Sequence, residues 1–393
     1  MTREELITSF LNSGSCNYVL QLPTSYGKTK LALDKINTWY TKDMKILIAV
    51  PRNVLKADWA KEISKWGYTK FLVNITFTTY ASIHKYAGKY DVIILDEGHH
   101  TSPRVQEILA ELYDTKHLIV LSATLKREHN DFFRRIYHPE FIRASMQDAI
   151  DEGSLPTPKL IFYGLHLNSR SKNFIIEKNK KRGVVCKEID YSQRKKYLSY
   201  KGYIKIHCTQ SEYYEDMSNL IDWYKRRAAS GSKAMENLWL HKANDRLKWL
   251  ATQKADTIKE INSIFKNRRM LIFCPTIKES ESLGIKCVNS KIGTRNLADF
   301  NEKKIKHLAA VGMLDEGTNL TDCQIGVFQI INSSDRIKIQ RVGRIMRHKK
   351  PVLIFPYYLG TREEEIITKL YESYSKPLCH FINNLDELKQ CIN

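Results

Sequence analysis

Asp91-Val92-Ile93-Ile94-Leu95-Asp96-Glu97-Gly98-His99-His100 is the stretch on which the reading of the chain turns. Val92–Leu95 is an unbroken aliphatic run of the length and branching that a strand buried on both faces requires. Two carboxylates follow it at once. In open parallel sheets ligands bind outside the carboxyl ends of the strands, and adjacent acids at such an end suit a division of labour. Asp96 could hold Mg2+ through water while Glu97 orients and deprotonates an attacking water, since phosphoryl transfer is mostly positioning and charge neutralisation. A plain solvated strand end is the competing reading, because Asp-Glu dipeptides are frequent. Adjacent histidines do not share a face, so His99 and His100 do not read as a metal pair. His100 is instead expected to link this strand to Ser122-Ala123-Thr124 on the next one.

Outward from this stretch, short apolar runs alternate with amphipathic segments. The runs are Tyr18–Leu22, Lys45–Val50, Phe71–Phe77, Val92–Leu95 and Leu118–Leu121; Val54–Trp66 and Val105–Tyr113 have helical spacing. Such alternation predicts a parallel sheet covered by helices. Gly153-Ser154-Leu155-Pro156-Thr157-Pro158 reads as a connector, because glycine and two prolines oppose helix and sheet interior alike. The alternation resumes at Met270–Cys274, His307–Met313, Gln324–Ile331 and Val352–Tyr357, and Thr361–Tyr374 reads as a helix. The chain is therefore expected to form an α/β domain over 1–155 and a second over 156–393. A helical, basic and aromatic insertion is expected over about 189–267. It carries Tyr191, Arg194, Lys195, Lys196, Tyr197, Tyr200, Lys201 and Tyr203, then Trp223–Arg227, with a break at Ser230-Gly231-Ser232. Most of its aromatics are expected to pack into a small core of their own, and the rest could stack bases or wedge a duplex.

Leu22-Pro23-Thr24-Ser25-Tyr26-Gly27-Lys28-Thr29 follows the first run and opens a helix, the context in which backbone amides wrap a phosphate. Gly27 allows the tight turn, Lys28 could reach β- and γ-phosphates and Thr29 could ligate Mg2+. Leu22 stands where the simple phosphate-loop pattern has glycine. An ordinary strand–turn–helix with a surface lysine competes on equal terms until the acidic pair is counted.

The 393 residues carry a formal charge of +20, with 42% hydrophobic and 27% charged residues, 21 Tyr and 6 Trp. This is a globular balance too long for one ordinary core, and an excess of that size favours a polyanionic partner. The eight cysteines include no C-x-x-C pair, so no zinc site is signalled. No apolar run reaches the roughly 18–20 residues that a membrane span needs. Met1-Thr2-Arg3-Glu4-Glu5 lacks a secretion profile, so a cytoplasmic protein is expected; a monomer without membrane association is expected as well.

Taken together the motifs resemble those of the superfamily 2 DEAD/DEAH-like helicases and translocases, in order over about 20–347. Pro23–Thr29 resembles motif I, Val50-Pro51-Arg52 motif Ia, Thr78-Thr79-Tyr80 motif Ib, Asp96–His99 motif II and Leu121–Thr124 motif III. Leu271–Thr276 resembles motif IV, Asp315–Leu320 motif V and Gln340–Arg347 motif VI. The resemblance implies two tandem RecA-like domains hydrolysing ATP with Mg2+ between them. Pro23, Thr24, Ser25, Tyr26, Gly27, Lys28 and Thr29, with Asp315 and Gly317, would bind the nucleotide. Thr29 and Asp96 would hold the metal, and Glu97 would be the base. Gln340, Arg344 and Arg347 would face the ATP, with the two arginines stabilising charge on the γ-phosphate. Residues 340, 343, 344 and 347 are expected on one helix face. Arg52, Thr79, Tyr80, Thr276 and Asn319 would contact the nucleic-acid backbone.

The glutamine that often reads adenine ahead of motif I has no clear counterpart among Met1–Leu20, although Arg3 is near the right distance. No nuclease constellation follows the core, which argues against a complete restriction enzyme. In style the chain is similar to phage and bacterial members, which for a phage-encoded chain means the host cytoplasm. The expected track is DNA, as a single strand or fork, with a further protein partner allowed. Three rival readings are a motor that remodels duplex or branched DNA, an RNA helicase, and a nucleic-acid adaptor with a degenerate ATP site. Intact Lys28, Asp96, Glu97 and Arg344 argue against the adaptor.

Overall fold

The fold is a computed structural model describing residues 2–179, 183–184, 203–229, 231–312, 320, 322–331 and 334–392. Two compact units emerge. The first comprises Met1–Lys159, Gly312–Gly326 and Ser333–Val352; the second comprises Leu160–Val311, Val327–Asn332 and Leu353–Asn393. The segment 333–352, expected in the second domain, thus groups with the first unit.

The sheet of the first unit contains β1 (Asn17–Gln21), β2 (Ile46–Val50), β3 (Ile75–Thr79), β4 (Gly88–Asp96), β5 (Tyr113–Ser122) and β6 (Glu140–Arg143). Its order is β3-β2-β4-β5-β1-β6, and every pairing is parallel. Strand centres are buried outright: Val19, Leu47, Ile93, Leu95, Leu118 and Val120 pack in one core with Leu109 and Phe133 from covering helices. The expected run Phe71–Phe77 splits. Thr69–Asn74 is a 3-10 turn, in which the fully buried Phe71 ring packs against Tyr68 and Tyr40, and only Ile75 onward joins the sheet.

The order fixes where the motifs meet. β5 lies between β4 and β1, so the loops after β1, β4 and β5 leave adjacent strand ends. Register places them level: Gln21 pairs with Ser122, and Asp96 with Leu121.

The remaining strands are β7 (Lys159–Leu165), β8 (Phe174–Asn179), β9 (Gly183–Val184), β10 (Tyr203–Cys208), β11 (Met270–Phe273), β12 (Cys287–Val288), β13 (His307–Ala310), β14 (Ile325–Phe328), β15 (Val352–Tyr358) and β16 (Cys379–Ile382). Seven of them form a sheet ordered β12-β13-β11-β14-β15-β7-β16. The pairings described for β12–β13, β13–β11 and β7–β16 are parallel. β7 directly follows the proline connector, outside the apolar runs named above.

β8, β9 and β10 make a small antiparallel sheet. The insertion is therefore not purely helical, since β10 falls inside 189–267. Its helices are Gln210–Ala228, Lys233–Gln253 and Ala255–Ile264. The first two separate around Gly231, at positive φ, and Ser232, whose side chain caps the second. Phe174, Tyr213 and Trp249 pack ring against ring at 5.2–5.8 Å, a local aromatic core. Tyr191, Arg194, Lys195, Lys196, Tyr197, Tyr200 and Lys201 lie outside the described residues.

One buried ion pair ties these helices to the seven-stranded sheet. Lys254, between the second and third helices, donates to Glu363 Oε1 at 2.7 Å and to the Pro356 carbonyl at 2.9 Å. Glu363 Oε2 accepts from the Tyr358 amide at 3.1 Å, and both side chains are fully buried. Burial pushes the lysine pKa down and the glutamate pKa up, and each charge offsets the penalty on the other. Lys254→Met leaves a buried carboxylate uncompensated, so chemical denaturation should show a loss of about 3–5 kcal/mol. A change below about 1 kcal/mol would mean that the pair is dispensable.

Candidate active site

The loop after β1 carries the first part of the site. Leu22 is fully buried and its amide donates to the Ser122 carbonyl at 3.1 Å. That explains the departure from glycine: the chain still runs with the sheet here, and the core takes a side chain. The turn comes later, where Ser25 (φ 72°) and Gly27 (φ 96°) adopt left-handed conformations. The helix Lys28–Trp39 starts immediately afterwards. The Lys28 ammonium lies back across the loop, donating to the carbonyls of Leu22 at 3.0 Å and Pro23 at 3.3 Å. Desolvation lowers its pKa; the charges of Glu97 and Asp96 pull upward, and Arg344 pushes down. Lys28 thus feels both carboxylates and one arginine of the expected site.

The acidic pair closes β4. Burial and the Glu97 charge raise the Asp96 pKa to about 6, against the hydrogen bond from Trp59 and the charge of Lys28. Trp59 Nε1 donates to Asp96 Oδ2 at 2.8 Å, and Tyr80 Oη donates to the Asp96 carbonyl at 2.7 Å. Glu97 has left-handed backbone (φ 50°), a conformation that costs a non-glycine residue free energy and concentrates at functional sites. Gly98 must be glycine, because a Cβ would sit 2.3 Å from the Val120 side chain. His99 Nδ1 lies 3.3 Å from Glu97 Oε2 and 3.2 Å from Ser122 Oγ. A link from motif II to Ser122 is therefore made by His99 rather than by His100 as expected; His100 stacks on Tyr80.

The helix Asp335–Ile345 belongs to the same compact unit and rests on the phosphate loop. A Cβ on Gly343 would lie 2.4 Å from Thr24 Cβ, so only glycine allows this approach. Ser25 Oγ donates to the Gly343 carbonyl at 3.2 Å and accepts from Arg347 Nε at 3.3 Å. Gln340, Arg341 and Arg344 are buried, which excludes a basic helix on a solvated face. Arg347 is not on the helix as the spacing suggested; it follows the helix end and reaches Ser25 from the succeeding turn. Gln340 is 2% exposed, yet neither side-chain amide atom has a hydrogen-bond partner among the described residues.

Other expected residues fall elsewhere. Tyr80 and Thr79 are buried, and the Tyr80 hydroxyl is spent on Asp96, so these side chains do not offer the surface that backbone contacts require. Arg52 is exposed just after β2. Thr276, in the second unit, caps the helix Ile277–Ser282 by accepting from the Glu279 amide at 3.2 Å. Asp315, Gly317 and Asn319 lie outside the described residues.

Three participants were missed or underrated. Trp59 sits in a segment read only as amphipathic. Tyr26 was counted among the nucleotide-binding residues for its place in the loop. Its ring is buried, with its hydroxyl 3.4 Å from Glu152, and burial raises its pKa to about 12. Arg3 donates to the Tyr26 carbonyl at 3.4 Å, so the first helix touches the loop; the arginine's distance ahead of motif I was the available signal.

Comparison with known proteins bears on the fold and the family. The family model described as the type III restriction enzyme res subunit matches residues 3–127, and that of the helicase conserved C-terminal domain matches residues 253–349. The DNA 3'-5' translocase XPB2 of Sulfurisphaera tokodaii is 24% identical over 358 residues, covering 84% of this chain and 75% of that protein. Among solved structures, the helicase domain of Pyrococcus furiosus Hef matches with a TM-score of 0.53 at 14% identity, over 94% of this chain and 97% of that one. S. cerevisiae Dbp5 bound to RNA and ADP BeF3 matches with a TM-score of 0.60 at 13% identity, over 100% of this chain and 92% of that one. These likenesses identify the two parallel sheets as RecA-like. The chain belongs to the superfamily 2 helicases and translocases and is an ATP-hydrolysing enzyme.

Proposed function

We propose that the protein is a DNA-tracking motor, a helicase or translocase that works in the cytoplasm and hydrolyses ATP on its first compact unit. The observation that carries the reading is that the loop after β1, the acidic end of β4 and the Gly343 helix meet at one locus, with Gln21 level with Ser122, Asp96 level with Leu121 and Gly343 against Thr24. DNA is favoured as the track by the +20 charge and by likeness to a DNA translocase. Arg52 is the exposed backbone-contact candidate on the first unit and Thr276 on the second, with Asn319 proposed by motif alone.

The residues present fit a magnesium nucleotide. Backbone amides of Ser25, Tyr26 and Gly27 precede a helix N-terminus, where an anion is favoured. Lys28 now rests on carbonyls of its own loop and can turn to a phosphate oxygen. Thr29 and Asp96 would hold Mg2+, and the open amide of Gln340 supplies a buried polar site for the nucleotide. Bound Mg2+ supplies charge neutralisation at the phosphate oxygens. Glu97, fixed beside His99, takes the proton from the attacking water. Arg344 meets the charge that develops on the γ-phosphate in the transition state. Arg347 and Gly343 hold Ser25, so departure of the phosphate changes what the 335–345 helix rests on.

Glu97→Gln should bind ATP as the wild type does and lose nearly all turnover, while Lys28→Ala should lose both; equilibrium nucleotide binding and steady-state phosphate release separate the two. Wild-type turnover in Glu97→Gln would remove that residue as the base. Gly343→Ala drives a methyl group into Thr24. It should cut ATPase by about 100-fold, the order expected when a catalytic group is displaced by about 1 Å, with the fold retained by circular dichroism. Undiminished ATPase would show that the helix does not rest on the loop during turnover.

A further inference from the structure

We propose that the Trp59 indole holds the Asp96 carboxylate in position for a divalent cation, which makes Trp59 a positioning residue of the metal–nucleotide site. The inference rests on the reading of Asp96 as a magnesium-holding residue given above.

An indole N–H can only donate, so the 2.8 Å contact from Trp59 Nε1 to Asp96 Oδ2 fixes both direction and polarity. Trp59 is 3% exposed, and its ring cannot swing away without opening the core. The Tyr80 hydroxyl meanwhile pins the Asp96 carbonyl. Asp96 is thus held at side chain and main chain by two buried aromatics, with Oδ2 engaged by the indole and the carboxylate also accepting from the Glu97 amide. Outer partners of this kind orient a metal-holding carboxylate and are as much a part of a site as the ligands themselves. The arrangement is demanding here because Glu97 follows directly, and the indole hydrogen bond holds the Asp96 carboxylate in place against the repulsion of that second charge.

The helix that carries Trp59, Val54–Lys65, begins two residues after the exposed Arg52. Its Glu62 also acts electrostatically on Arg347. One helix therefore bears on the acid and the arginine side of the site at once.

The test is the affinity for a fluorescent, non-hydrolysable ATP analogue, measured in EDTA and in saturating Mg2+. Trp59→Phe keeps the ring and deletes the donor. It should bind the analogue in EDTA as the wild type does, while the tightening produced by Mg2+ falls about tenfold, the worth of one hydrogen bond to a charged group. Trp59→His, which retains a ring N–H in a smaller volume, should recover part of that tightening, and it serves as the variant if Trp59→Phe is unstable. Asp96→Asn separates the two levels. If Asp96→Asn loses the Mg2+ effect and Trp59→Phe keeps all of it, Trp59 is a core residue only and the proposal falls. If Asp96→Asn itself keeps the Mg2+ effect, the metal assignment falls and takes the proposal with it.

Discussion

The approach of the Asp335–Ile345 helix to the phosphate loop is the contact on which the rest of the site depends. It is permitted by one missing side chain, that of Gly343 against Thr24. Given that approach, Ser25 can bridge to the Gly343 carbonyl, and Arg347 can close the other side of the same hydroxyl. The approach also brings the charge of Arg344 to bear on Lys28, pushing its pKa down while the acids at the end of β4 push it up. A lysine, two carboxylates and an arginine gathered near a helix N-terminus suit the magnesium nucleotide proposed for this site. Buried charges of both signs are tolerable together only when they offset one another.

That arrangement costs backbone freedom. Ser25 and Glu97 both adopt left-handed conformations without being glycine. Each follows from its place: Ser25 turns the loop so that it faces the helix, and Glu97 turns the chain off its strand just before Gly98, where Val120 stands in the way of any side chain. The parallel order β4-β5-β1 imposes this, since it brings three loops to one edge and leaves them little room.

Much of this was legible in the sequence because it is carried by periodicity and by spacing. Val92–Leu95 had to be a buried strand, and the strand had to end at Asp96. Gln340, Gly343 and Arg344 stand at helical spacing. What was not legible depends on register and on rings. No local pattern says that the Trp59 indole would find Asp96, 37 residues away. The link to Ser122 was placed on the wrong histidine because a 3-10 turn over Gly98–His100, rather than an extended strand, sets the side-chain directions. Phe71 left the sheet for an aromatic stack that spacing alone does not reveal. Lys254 and Glu363 are distant in sequence, and each reads as a surface charge until the fold buries both.

The central claim is that ATP turnover at this locus is coupled to a DNA track. The most direct measurement is steady-state ATPase activity with no nucleic acid, single-stranded DNA, duplex DNA, forked DNA and RNA in parallel. The account predicts hydrolysis stimulated by one or more of the DNA forms above both the RNA and the unsupplemented rates. ATP hydrolysed at the same rate in all five, or bound without stimulation by any of them, would contradict it.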